Sequence, residues 1–127
     1  TFVAADAEDH IDPELFTAYA QIKDVKDMEY VRDEILKTYR RYTTETIEQK
    51  QLDETRSRLR YGFSLGMNSN DAIAGTLARY VALRRSPDTI DKIFALYDSI
   101  TPEDIRAMAA KYFTEKNQTI VTLATKK

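Results

Sequence analysis

The sequence contains no cysteine and no tryptophan, and it has only three glycines, three prolines and one histidine. Without cysteine the chain cannot form a disulfide scaffold, a thiolate zinc site or a cysteine nucleophile. With so few glycines it has no glycine-rich loop of the kind that cradles phosphates. These absences exclude several common kinds of site, but they do not fix the redox compartment.

The sequence also lacks long apolar runs and a charge excess. No run approaches the roughly 20 residues that span a bilayer, and no basic segment typical of a signal peptide precedes Phe2-Val3. The formal net charge of −2 gives no electrostatic reason to expect nucleic acid or an acidic membrane surface as a partner. We expect a soluble piece of a longer protein, with neither nucleic acid nor membrane as partner and with its compartment left open.

The clearest local pattern lies between Ile100 and Leu123. Thr101-Pro102 predicts a helix start, because threonine is a good N-cap and proline fits the first helical position. One apolar helix face follows at Ile105, Met108, Ala109, Tyr112 and Phe113. The β-branched stretch Gln118–Leu123 then predicts a closing strand.

The earlier chain predicts a hairpin followed by helices. Phe2–Ala5 and Leu15–Ile22 read as two strands on either side of an acidic turn. Four helices follow, as predicted by an apolar spacing from Met28, a capping box at Thr46–Gln49, an apolar series from Ile73 and a proline start at Ser86-Pro87-Asp88. Their inward positions include Leu52, Thr55, Leu59 and Phe63 on the second helix and Ile73, Leu77, Tyr80 and Val81 on the third.

This order predicts an α+β fold in two layers, with helices packed on one face of a small, mainly antiparallel sheet. We expect one partial domain over residues 1–127. Its parts are a strand and hairpin region at 1–23, a helical middle at 27–98, and a closing helix and strand at 101–124. Two or three strands are few for five helices, which indicates that part of the domain is missing.

Two motifs could carry chemistry. His10 lies in the acidic stretch Asp6–Asp12 and could be a metal ligand, but a solvated turn is the favoured interpretation. Gly62-Phe63-Ser64-Leu65-Gly66 spells the hydrolase pattern Gly-x-Ser-x-Gly, yet it falls at a predicted helix end rather than in a strand-turn-helix elbow. We attribute its glycines to close helix packing and a helix C-terminus. No catalytic and no metal-ligating residue is predicted.

Arginines and tyrosines recur along the predicted helices. A polyanion site is conceivable for the arginines, but interspersed acids favour a solvated face, and the tyrosines favour core and core-edge positions. The arginines are Arg56, Arg58, Arg60, Arg79, Arg84 and Arg85, and the tyrosines are Tyr39, Tyr42, Tyr61, Tyr80, Tyr97 and Tyr112.

Several stretches together resemble the later part of one domain of the insulinase/pitrilysin family of zinc metallopeptidases, the inverzincins. The most specific is the ending Thr101-Pro102-Glu103-Asp104-Ile105, Ala109-Ala110-Lys111-Tyr112-Phe113 and Asn117–Leu123. Asp12–Ala20 and the stretches Asp71–Ala74 and Tyr80–Leu83 add to it. The resemblance covers nearly the whole chain and rests on the conjunction of these stretches.

The resemblance implies a structural role. Family members pair related α+β domains around a peptide in an enclosed chamber, and the family's His-x-x-Glu-His helix, its distant glutamate and its arginine/tyrosine pair match nothing here. Zinc is therefore expected in the parent protein and not in this chain. The expected partners are the remainder of the same polypeptide or a paired family domain, and a peptide substrate. Two alternatives stay open: a non-catalytic relative that acts as scaffold or partner subunit, and an unrelated helical interaction module without the predicted strands.

Overall fold

The computed structural model of the chain describes residues 2–7, 10–86 and 88–124. Within these ranges the fold is α+β, as predicted. The strands are β1 (Phe2–Asp6) and β2 (Thr17–Gln21), and the helices are α1 (Met28–Thr44), α2 (Gln49–Gly66), α3 (Asn70–Arg84), α4 (Thr89–Ser99) and α5 (Pro102–Tyr112), with single 3-10 turns at Val25–Asp27 and Glu115–Asn117. None of these helices is both long and apolar enough to cross a bilayer. Glu8, Asp9, Pro87 and the basic tail at Lys126-Lys127 lie outside the described residues.

The chain divides into two compact units. The first unit comprises residues 1–7, 15–47 and 103–127 and carries the two strands, α1 and nearly all of α5. The second comprises residues 8–14 and 48–102 and carries α2, α3 and α4. The organisation of residues 1–127 as one partial domain stays a prediction.

The sheet of the first unit is the predicted hairpin. β1 and β2 pair antiparallel, with Phe2 opposite Gln21 and Asp6 opposite Thr17. The Phe2 and Tyr19 rings meet edge to face with centroids 5.8 Å apart, which is a favourable arrangement for two ring quadrupoles. The predicted strands at Phe2–Ala5 and Leu15–Ile22 are therefore confirmed, the second with shorter bounds.

The predicted closing strand is wrong. Residues 118–124 carry no strand, and the sheet of the described residues has β1 and β2 alone. The stretch does have β-prone side chains, but a strand also needs a neighbour that receives its main-chain hydrogen bonds. Sequence propensity shows that the side chains suit a strand, but it does not show whether a neighbouring strand is present.

The starts of α1, α3 and α5 follow the predictions, whereas α4 begins at Thr89 and the predicted start at Pro87 lies outside the described residues. α5 begins at Pro102, and α3 begins after Ser69, whose hydroxyl accepts a hydrogen bond from the Ala72 N–H at 3.2 Å. The capping box at Thr46 is wrong, because α2 begins only at Gln49 and its N-cap is Glu48, whose backbone is extended. A run of polar helix formers follows Thr46, so local preference leaves the starting turn poorly defined.

In the second unit α4 packs against both α2 and α3. The Phe63 and Phe94 rings lie 5.0 Å apart, and Leu52 and Thr89 are buried. Other predicted inward positions are wrong, because their side chains are exposed: Leu59 on α2, and Ile73, Leu77 and Val81 on α3. The apolar faces of α2 and α3 extend beyond the area that α4 covers, so the side chains at their margins stay in water.

Arg56 of α2 binds the C-terminal end of α4. Its guanidinium donates to the carbonyl oxygens of Tyr97 (2.8 Å), Asp98 (3.1 Å) and Ile100, and also to the Asp53 carboxylate at 2.9 Å. Terminal helix carbonyls lack partners within their own helix and carry partial negative charge, so a cation is favourable there. The Arg56 side chain is only 18% exposed, which limits screening by water.

We expect Arg56→Ala to lower the free energy of unfolding by about 1.5–3 kcal/mol, because charged hydrogen bonds to otherwise unpaired carbonyls are lost. Urea denaturation measures the change. Arg56→Lys should recover only part of the loss, since an ammonium group lacks the planar fork. The control is the exposed Arg58→Ala, which should stay within about 0.5 kcal/mol of the parent chain. Equal effects at Arg56 and Arg58 would contradict the capping role.

Candidate functional site

His10 and the acidic turn do not form a metal centre in the described residues. The His10 Nε2 lies 3.1 Å from the Glu14 carboxylate, and both side chains are about half exposed. A zinc site takes at least three protein ligands, and the described part of the chain holds no group of three histidine or carboxylate side chains arranged for a metal. The described residues of this stretch therefore do not by themselves supply the donor set of a zinc site.

The Gly-x-Ser-x-Gly pattern lies inside a helix. Gly62, Ser64 and Gly66 occupy the last turns of α2, with Gly66 as its final residue. A nucleophile elbow requires a sharp turn between a strand and a helix, so this serine is not presented as a nucleophile. The prediction of a helix C-terminus is confirmed. The prediction of close packing is wrong, because a Cβ at Gly62 or Gly66 would meet nothing within 4 Å.

The predicted arginine clusters separate into different roles. Arg56 caps α4, and Arg60 pairs with the Asp98 carboxylate. Arg58 is exposed and donates to the Thr55 hydroxyl at 3.3 Å. Because two of the three α2 arginines are engaged by groups of their own unit, the α2 set does not form a polyanion site.

An aromatic cluster joins three parts of the first unit. Tyr39 of α1 stacks on Phe113 with centroids 4.5 Å apart, and Phe16 lies 5.3 Å from Phe113 and 6.0 Å from Tyr39. The Tyr39 hydroxyl is buried and has no hydrogen-bond partner among the described residues. Burial raises the pKa of Tyr39 above its ordinary value of 10.0, because the charged phenolate is disfavoured away from water.

A cleft with a volume of about 260 Å³ lies beside the sheet of the first unit. It lies between β2 and the segment Thr119–Leu123, which we call the closing segment. The lining residues on the strand side are Ala18, Tyr19 and Ala20 of β2, and Ile22 directly after it. The lining residues on α1 are Met28, Val31, Arg32, Ile35 and Leu36.

The described lining of the cleft is largely apolar. Among these residues Arg32 is charged, and the Arg32 guanidinium donates to the neighbouring Asp33 carboxylate at 2.8 Å. That hydrogen bond and the nearby negative charge raise the pKa of Arg32. Aliphatic side chains predominate among the described lining residues, so the cleft is suited to an apolar group.

The sequence predicted the elements beside the cleft but not the cleft itself. It placed β2, α1 and the closing segment close together as one sheet and its covering helix. The spacing between β2 and the closing segment depends on which strands are neighbours, and no pattern within a single strand reports this. Comparisons with protein-family models, curated proteins and solved structures find no match to this chain.

We expect Tyr39→Phe to leave the chain equally stable or to stabilise it by up to about 1 kcal/mol, since it removes a buried hydroxyl without a partner among the described residues.

The raised pKa of Tyr39 also makes the free energy of unfolding depend on pH. Below pH 10 the phenol is neutral in both states. Above pH 10 the unfolded chain loses this proton first, so stability falls as pH rises. Phenolate absorbance should show a late step that Tyr39→Phe removes and that Tyr61→Phe, at an exposed residue, retains. Destabilisation by more than about 1 kcal/mol would mean that the hydroxyl has a partner.

We expect the chain not to bind zinc stoichiometrically. Titration calorimetry should give no saturable binding, and zinc should not raise the melting temperature, because two donors at His10 and Glu14 are too few for a stable site. The His10→Ala chain should behave identically. Tight binding that disappears in His10→Ala would overturn this expectation.

Proposed function

We propose that this chain is the C-terminal portion of an insulinase/pitrilysin-like zinc metallopeptidase domain and forms part of the chamber that encloses the peptide substrate. Its role is structural, and it supplies no zinc ligand and no catalytic group. The resemblance of Thr101–Ile105, Ala109–Phe113 and Asn117–Leu123 to that family supports this assignment. The zinc motif belongs to another part of the parent protein.

The observation that carries the proposal is the incomplete sheet. A two-stranded sheet is marginal in water without further strands or a covering helix. Apolar side chains of the closing segment are left in water, with Ile120, Val121 and Leu123 exposed by 47%, 85% and 98%. Covering apolar surface stabilises by roughly 25 cal/mol per Å², so these side chains favour union with further polypeptide.

The closing helix is anchored in a way that suits a structural portion. Ala109 of α5 is buried, and Phe113, directly after the helix, stacks on Tyr39 of α1. The chain therefore leaves α5 at a point fixed by the aromatic cluster. This anchor places the closing segment along the cleft, where it can join a larger sheet.

A non-catalytic relative that acts as scaffold or partner subunit is the second candidate. The same exposed closing segment supports it, because such a subunit would also be completed by further polypeptide. An unrelated helical module is disfavoured, because β1 and β2 form the ladder that such a module would lack. The missing ladder at Thr119–Leu123 agrees with such a module, but the hairpin does not.

The test begins with the complete reading frame that encodes this chain, searched for His-x-x-Glu-His and a later glutamate in the same domain or its partner. We expect the motif, and we expect the purified parent protein to contain zinc. A chelator should abolish cleavage of an unstructured peptide by at least about tenfold, and added zinc should restore it.

The matched controls are the parent with the motif glutamate changed to glutamine, which should be inactive while retaining zinc, and the 127-residue chain alone, which should be inactive. Absence of the motif from both domains would overturn the peptidase proposal in favour of the scaffold. Cleavage that resists the chelator would also overturn it.

A further inference from the structure

We draw no further inference here: the strongest candidate, the exposed apolar face of α3 at Ile73, Leu77 and Val81, carries nothing because nothing in the structure shows what covers it.

Discussion

The constraint on which the first unit depends is that main-chain hydrogen-bonding groups need partners. β1 and β2 satisfy it for each other along one edge. The other edge of β2 faces the cleft, and the closing segment stands on the far side with no ladder of its own. The apolar lining from α1 and the exposed side chains of Val121 and Leu123 have no cover among the described residues. The second unit meets the same requirement differently, because the Arg56 side chain supplies donors to the carbonyls at the end of α4.

The fold was predictable where the deciding interactions are local. The hairpin follows from two apolar stretches around a polar turn, and α5 begins at Pro102 because Thr101-Pro102 favours that start through the cap and the fixed φ of proline. The start of α2 was mispredicted, since polar helix formers make several starting turns nearly equal. The Arg56 contacts reach 41 to 44 residues along the chain, and no sequence period reports an interaction of that range. Leu59 and Val81 were predicted to be inward, but an apolar residue on a helix face is buried only where a neighbour covers it.

The candidate site was predictable mainly by exclusion. The sequence disfavoured chemistry at His10 and Ser64. The structure places His10 beside the Glu14 carboxylate and Ser64 within α2. The cleft was not predicted, because the apolar alternation of β2 and of the closing segment is the same whether the two segments pair directly or leave a gap. Strand order is a property of the assembled sheet, and no pattern within one segment reports it.

The amino-acid composition of β2 affects how readily the chain aggregates through its sheet edge. Natural sheet edges are commonly protected by charged side chains, proline or bulges, which prevent pairing with foreign strands. The β2 sequence Thr-Ala-Tyr-Ala-Gln contains none of these residues, and the neighbouring closing segment is equally unprotected. Such an edge is safe when it is covered early and prone to aggregate when it is left bare. The chain therefore carries an edge at which copies can associate through main-chain hydrogen bonds.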